Sequence, residues 1–514
     1  MQNAEPKPPV PHTYPAGCVF NSLEDIKDKH ITVMGLGLNG GGEATVRFLL
    51  KHGAYVLATD MKSAEDLKPT INSIAADSSL DTSRLTYRLG EHRLEDFSEA
   101  DCVIKNPGVK YDGNQFLAVA KAIETDISLF LHFSKAPIIA VTGSKGKSST
   151  VSAIHYGLTK AGFTAFLGGN ITVSPLTFLD ETDKTTPVVL ELSSWQLADL
   201  RGRQALNPHI SVITKIIPDH QNFYHSMIAY VNDKKLIYAG QTKKDYTILD
   251  FDDDAAADGG TLIENWGNIF ARETKGRVLR YSRKPLPKNV EGVWIDKSNK
   301  GKVRLDGEEE TILKDLIVPG THIRTNVLNA ALVLKIMGVD TKRIISILAS
   351  WKGVEHRLEY FHEWNGYKFY NDSAATVPEA AALASQSFGH PVVFITGGTD
   401  KGLDLSPLAE TLSNPSSIKP EAIYMLEGTA TDKLIPLFKE QNIQVNGIYK
   451  NLDELLTTLK QDLFSKESDN SAKSAKQQKI VVFSPGATSF GMFKNEFDRG
   501  NQFKRKVKNI FVRG

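Results

Sequence analysis

The stretch Val141-Thr-Gly-Ser-Lys-Gly-Lys-Ser-Ser-Thr150 limits what this chain can fold into more than any other. A short apolar run, 136–141, precedes it and a helix-like segment, 151–160, follows. Strand, Gly/Lys/Ser turn and helix in that order build a phosphate-binding loop. Backbone N–H groups around Gly143 and Gly146, with the positive end of the following helix, can cradle a polyphosphate. Lys147 can reach the outer phosphates, and the Ser148 hydroxyl can ligate Mg²⁺. The usual loop has four residues between its glycines, whereas Gly143 and Gly146 are separated by two. A plain strand–helix turn with a surface lysine is the alternative, and it leaves the ordered pattern unexplained.

The chain has 514 residues, enough for two to four domains. A net charge of +1 gives no basic field for nucleic acid or anionic lipid. Two cysteines, Cys18 and Cys102, supply neither a disulfide framework nor a metal spacing, which suits a reducing cytosol. Residues 1–17 are polar, carry five prolines and lack the apolar core of a signal peptide. They read as part of a disordered tail, 1–20. No apolar run approaches the ~20 residues needed to span a bilayer. The expectation is a cytoplasmic protein, monomeric, with neither nucleic acid nor membrane as a partner.

In chain order, 30–34 reads as a strand, Gly35-Leu-Gly37-Leu-Asn-Gly40 as a glycine turn and 42–52 as a helix. A second strand, 55–59, ends at Asp60. This is a dinucleotide fingerprint, with the acid placed to bind a ribose or base edge. Taken alone it points to an NAD(P)-binding oxidoreductase, although any nucleotide diphosphate can use the same helix start. Residues 101–104 form another strand, leading into Lys105-Asn-Pro-Gly-Val109. In the second unit a strand at 187–190 runs into Glu191, a carboxylate well placed for Mg²⁺. The strand at 209–214 leads to Asp219-His220. A helix at 230–237 carries Lys234, which alone would read as a solvated charge. Residues 252–260 form an acidic loop, and 276–316 look like peripheral strands and turns. In the third unit, 361–370 is hairpin-like and strands lie at 391–396, 422–426 and 479–483. Residues 464–478 read as a flexible insertion. Alternating strands and helices predict α/β architecture with parallel sheets throughout.

Taken together, these segments resemble the Mur ligases, and most closely the MurD type that adds glutamate to UDP-N-acetylmuramoyl-L-alanine. The resemblance runs from about Ile31 to the C-terminus. It is carried by Thr142-Gly-Ser-Lys-Gly-Lys-Ser, Leu190-Glu-Leu-Ser-Ser-Trp-Gln, Asp219-His220, Tyr230-x-x-x-Lys234 and Gly320-x-His322-x-x-x-Asn326. Further on come His356-Arg357, Asn371-Asp372-Ser373, Gly397-Gly-x-x-Lys401, Phe493-Lys-Asn and Arg499-Gly500. It implies three domains: a Rossmann-like UDP-binding domain (21–136), a central P-loop ATPase-type domain (137–350) and a Rossmann-like amino-acid-binding domain (351–514). It also implies an ATP-dependent amide ligase of peptidoglycan precursor synthesis. ATP would phosphorylate the substrate's alanine carboxylate, and the glutamate amine would attack the acyl phosphate, leaving ADP and phosphate.

The resemblance also implies roles for residues. ATP falls to Gly143, Ser144, Lys145, Gly146, Lys147, Ser148 and Ser149, with Asn326, Arg357 and Asp372 on adenine and ribose across a domain boundary. Lys147, Glu191, His220 and Lys234 form the catalytic set. Two Mg²⁺ ions are implied, one on Ser148 and Glu191 and one on His220. Lys234 matches a carbamylated lysine: an ammonium repels a metal, whereas a carbamate can ligate or orient one. The UDP substrate falls to Leu38, Asn39, Asp60, Asn106, Gly108, Asn170 and His220, which re-reads the fingerprint as a UDP-sugar site.

The amino-acid pocket matches at Thr376, Lys401 and Ser489 but departs elsewhere. The family's usual lysine after Asn-Asp-Ser is Ala374, its asparagine after the threonine is Val377, and Glu496 stands at a usual aromatic. Near a dicarboxylate substrate such changes matter, since a charge pair at 4 Å is worth about 4 kcal/mol at a dielectric of ~20. D-glutamate and L-glutamate both stay open. So do a folylpolyglutamate-type ligase, disfavoured by the N-terminal nucleotide-sugar segment, and a non-catalytic ATP-regulated module, disfavoured by intact Lys147, Glu191 and His220.

Overall fold

The computed structural model describes residues 12–252, 256–258, 261–263, 265–469 and 478–512. The chain divides into two compact units: residues up to Lys314 with Thr325–Ile347, and Asp315–Arg324 with Leu348 onward. Residues 315–324, expected with the central segment, thus belong to the second unit. There Tyr370 donates its hydroxyl to the Ile317 carbonyl at 2.7 Å.

Among the described residues the first unit holds two large sheets. One has strands in the spatial order Leu85–Leu89, Tyr55–Asp60, His30–Met34, Cys102–Lys105 and Ile123–Glu124, all parallel. Chain order reverses between His30–Met34 and Cys102–Lys105. At such a point, beyond the carboxyl ends of the strands, open sheets bind ligands.

The other sheet runs Glu308–Leu313, Gly301–Leu305, Gly292–Ile295, Arg277–Ser282, Tyr246–Asp250, Ile210–Ile213, Ile138–Thr142, Val188–Glu191 and Phe166–Gly169. The strand feeding the phosphate loop, Ile138–Thr142, lies inside it, parallel to both neighbours. One apolar cluster joins the two sheets, from Val33, Val56 and Ile104 through Phe130 to Ile138, Leu190 and Ile213. Residues 21–136 and 137–314 are therefore not separate cores.

The second unit is built on Glu359–Trp364, Tyr367–Asn371, Lys479–Phe483, Val393–Gly397, Ala422–Leu426 and Gly447–Tyr449. Its inner strands are apolar at consecutive positions because both faces are covered. Phe394 and Val482 enter one cluster with Leu408 and Leu434. Their neighbours Ile395 and Val481 enter another with Leu455 and Phe503.

Three expectations need correction. The sheets are not parallel throughout. Gly292–Ile295, Gly301–Leu305 and Glu308–Leu313 pair antiparallel, as do Glu359–Trp364 and Tyr367–Asn371. Asp306-Gly307 and Asn365-Gly366 have positive φ at both residues, which turns a strand straight back on itself. The proposed insertion at 464–478 is helical as far as Asp469, the end of Leu452–Asp469, while 470–477 fall outside the described residues. Most of the 252–260 loop also lies outside them.

The third correction concerns the tail. Residues 1–11 lie outside the described residues, but 12–20 pack against the first unit. Tyr14 is 5% exposed and Phe20 3%. The Arg203 guanidinium lies 4.2 Å over the Tyr14 ring, whose hydroxyl donates to Asp199 at 3.3 Å. Tyr14 N donates to Arg201 O and Gly17 N to Arg203 O. Composition pointed to a loose segment because aromatic anchors are invisible to an average. Tyr14→Ala is expected to cost about 3 kcal/mol in urea unfolding, the range for removing a buried aromatic. A wild-type midpoint would mean that the segment is not held.

No helix among the described residues is long and apolar enough to cross a membrane.

Candidate functional site

The phosphate loop begins where Ile138–Thr142 ends. Gly143 has φ +144°, and a Cβ there would lie 1.9 Å from Thr214 Oγ1. Gly146 has φ +96°, and its Cβ would lie 2.6 Å from Asn326 Oδ1. Backbone passes both side chains too closely for anything larger than glycine. Asn326, on the helix Thr321–Ile336, is thereby brought against the loop. Gly146 caps the helix Lys147–Lys160. The first N–H groups of that helix have no intrahelical acceptor and carry the positive end of its dipole. Ser148 and Ser149 stand in this first turn.

The loop residues Ser144 and Lys145 have partners within the protein. The Ser144 hydroxyl donates to Ile217 O at 2.8 Å and accepts from Ile217 N and the Tyr230 hydroxyl, both at 3.0 Å. The amides of Ser144 and Lys145 donate to Lys215 O at 2.9 and 3.3 Å. Ser144 thus anchors the loop to the next strand's exit. Lys145 reaches Asp219 at 3.6 Å. Lys147 Nζ donates to the Gly143 and Ser144 carbonyls at 2.9 and 3.0 Å.

Lys234 converges on the same point. Tyr230 and Lys234 lie one turn apart on Met227–Lys235, so they share a face. Lys234 is 1% exposed, donates to Gly143 O at 2.9 Å and sits 4.5 Å over the Tyr230 ring. Burial, then the nearby Lys147 charge, pushes its ammonium down to about 7. It is therefore an amine at neutral pH in a sizeable fraction of molecules. Asp233 beside it takes a bidentate pair from Arg201, Nε to Oδ1 at 2.9 Å and Nη2 to Oδ2 at 2.8 Å.

Glu191 ends the strand Val188–Glu191 and is 1% exposed. Its Oε1 accepts from Asn170 Nδ2 at 2.9 Å, while Oε2 is buried without a hydrogen-bond partner. Such an orphaned oxygen is costly unless something positive binds there. His220 has φ +53°, and its ring lies 4.9 Å from Trp195. Among the described residues no three His, Cys, Asp or Glu side chains gather as a metal cage. One carboxylate oxygen, a serine hydroxyl and phosphate oxygens suit Mg²⁺, which needs few protein ligands.

Of the expected UDP residues, Leu38, Asn39, Asp60, Asn106 and Gly108 stand on the loops at the reversal point of the first sheet, whereas Asn170 lies on Glu191 and His220 beside Trp195. A Cβ on Gly35 would lie 2.9 Å from Asn106 Cβ, and one on Gly42 2.3 Å from Leu36 O. Asn106 Oδ1 accepts from Gly108 N at 3.0 Å. Asp60 accepts from Gly37 N at 2.9 Å, closing the glycine turn. Leu38, Asn39 and Gly108 are exposed at the loop tips. In the sequence Lys105 reads as a turn residue. Its side chain is 1% exposed, pairs with Asp199 at 2.8 Å and donates to Asn106 O and Val109 O. It fastens the 105–109 loop to the end of Ser194–Ala198. A lysine closing the apolar strand Cys102–Lys105 was the available signal.

In the second unit Asp372 accepts from Ser484 Oγ at 2.6 Å and from Leu358 N at 3.1 Å. Burial raises its carboxyl to about 7. Arg357, next to Leu358, is exposed. Lys401 Nζ lies 3.4 Å from Thr376 Oγ1. Thr488 N donates to Thr399 O, so Ser489 and Lys401 come from paired turns.

Two family models match this chain. The Mur ligase middle domain matches residues 141–334, and the MurD-like N-terminal domain of Mur ligases matches 29–129. A UDP-N-acetylmuramoylalanine–D-glutamate ligase of Treponema pallidum is 39% identical over 557 residues, covering 95% of this chain and 98% of its own. One of the same name from Borreliella afzelii is 38% identical, covering 94% and 99%. Among solved structures, MurF of Acinetobacter baumannii has TM-score 0.55 at 12% identity, covering 98% of this chain and 100% of its own. UDP-N-acetylmuramate-alanine ligase MurC of Thermotoga maritima has 0.51 at 17%, covering 94% and 99%. These two speak for the fold alone. The curated relatives do not favour the nicotinamide or the L-glutamate reading. With such identity over nearly its whole length, this chain belongs to the Mur ligase family and is an enzyme that forms a carbon–nitrogen bond.

Proposed function

We propose that this protein joins D-glutamate to UDP-N-acetylmuramoyl-L-alanine, using ATP to phosphorylate the alanine carboxylate before the amine attacks. The observation that carries this reading is the convergence of Lys147 and Lys234 on the Gly143 carbonyl. The relatives' names supply the substrates. A carboxylate must approach a polyphosphate here, and the reaction needs positive charge where both meet.

Each residue then has a task. Amides at the start of Lys147–Lys160 hold the phosphates, and Lys147 swings from its carbonyl acceptors to the transferring phosphoryl group. Ser148, Glu191 and His220 would hold Mg²⁺, which would supply charge neutralisation on the phosphate oxygens. We assign Asn326, Arg357 and Asp372 to adenosine, and Leu38, Asn39, Asp60, Asn106, Gly108 and Asn170 to the UDP substrate. Thr376, Lys401 and Ser489 take the amino acid, whose amine attacks the acyl carbon as phosphate leaves. The neutral amine of Lys234 adds to CO₂, releasing a proton and turning a repelling cation into a carboxylate-like anion. We read the two sheets of the first unit as the UDP and ATP domains and the second unit as the amino-acid domain.

The test is Mg²⁺-dependent phosphate release with the UDP substrate and either enantiomer of glutamate. Release with D-glutamate and not with L-glutamate is expected. Release with L-glutamate only, or with neither, overturns the proposal.

A further inference from the structure

We infer that Arg499 is the positioning residue of the amino-acid pocket: its buried guanidinium binds the turns that carry Thr376 and Ser489, to which the Lys401 turn is tied, and provides a fixed positive charge behind them. This rests on the glutamate-ligase reading above. The motif Arg499-Gly500 is otherwise without a role in that reading.

Arg499 is 1% exposed and stands on the first turn of the helix Glu496–Ile510. Its Nε donates to Ser373 Oγ at 3.0 Å, one terminal nitrogen to Ser373 O at 2.8 Å and the other to Ala487 O at 2.9 Å. That second terminal nitrogen lies 3.9 Å from where a Cβ on Gly398 would stand. One side chain therefore bonds two of the turns, the one after Asn371 and the one after Phe483, and it faces the third, the one after Gly397. The turns are also tied to one another. Gly486 N donates to Ala375 O, Gly397 N to Pro485 O and Thr488 N to Thr399 O, each at 3.0 Å. The planar fork of arginine suits such divergent acceptors, and lysine does not reproduce it.

The charge has a separate consequence. Among the described residues Arg499 makes no ion pair, and its acceptors are neutral oxygens. Burial lowers its grip on its proton to about 10, against a smaller raising effect of Glu496, so it stays charged at neutral pH. A buried cation without a counterion is unfavourable. The carboxylates of an acidic amino acid offset it on binding, so the pocket prefers that ligand class. Gly500 fixes the distance: a Cβ there would lie 2.1 Å from His356 Nδ1, and His356 is itself bonded to Asn371 at 2.8 Å. The helix start is thus seated against the turn it positions.

The experiment varies D-glutamate at saturating ATP and UDP substrate, with phosphate release as readout and the full chain as enzyme. Arg499→Lys keeps the charge and loses the fork, so KM for glutamate rises about tenfold while KM for ATP stays within about twofold. Arg499→Met loses both, and the rise is roughly a hundredfold. Glu496→Gln removes a competing negative charge and lowers KM for glutamate about threefold. An unchanged glutamate KM in Arg499→Lys, or equal shifts in both KM values, overturns the inference. Should the Arg499 variants not fold, Glu496→Gln and Ser373→Ala decide: the first must tighten glutamate and the second weaken it. Absence of glutamate-dependent release in the wild type overturns the function reading, and this inference with it.

Discussion

Replacing Lys147 with alanine is expected to lower ATP-dependent phosphate release on the order of 10³-fold, about 4 kcal/mol of transition-state stabilisation. The ammonium stands at the mouth of the loop, bonded to the Gly143 and Ser144 carbonyls. The Gly143 and Ser144 acceptors are backbone oxygens, so an incoming polyphosphate outcompetes them by charge. Fold is expected to survive. The loop is fastened by Ser144 to Ile217 and Tyr230 and by two glycines that no other residue can replace. Losing the lysine's own hydrogen bonds costs roughly 1 kcal/mol each. Phosphate release and thermal unfolding, measured on one preparation, separate these effects. Hydrolysis that continues at the wild-type rate would remove the phosphate-loop assignment itself.

Lys234→Ala is expected to be as damaging, with a distinctive rescue. A solvated lysine is unprotonated in roughly one molecule in a thousand or fewer at neutral pH. Burial and the Lys147 charge bring Lys234 to about 7, where amine and ammonium are comparable. Only the amine can add to CO₂. The side chain is enclosed at 1% exposure between Tyr230 and Gly143, so the product would be held rather than solvated. Alanine leaves a cavity into which formate or acetate can bring a carboxylate. Activity should fall on the order of 10³-fold and recover at least tenfold with such anions. Stripping CO₂ from the wild type should lower its rate reversibly. An alanine variant that folds normally and stays dead with short carboxylates would falsify the carbamate and leave the phosphate loop standing.

The glycine loops were readable because their causes are local. Gly143 and Gly146 announce positive φ within one strand, turn and helix, and both take it. Spacing likewise marks Tyr230 and Lys234 as one helix face. Composition misled where an average hides anchors: residues 12–20 look loose, yet Tyr14 and Phe20 are buried. Alternation of strand and helix suggested parallel pairing everywhere, but Asp306-Gly307 and Asn365-Gly366 reverse the chain too tightly for a crossover.

Charge was the least readable property. Lys105 looks like a turn residue until it meets Asp199, and the tie from Ser144 to Ile217 and Tyr230 shows only in the fold. Arg499 is one more helix cation until its three acceptors come from turns far apart in the chain. Residue order alone settles conformation where steric rules act between neighbours: which glycines turn, which runs extend, which helix faces share a pair. Tertiary structure decides which groups are dry and what opposes them. Dielectric and Coulomb energy depend on atoms within a few ångströms in space, and folding alone brings those atoms together.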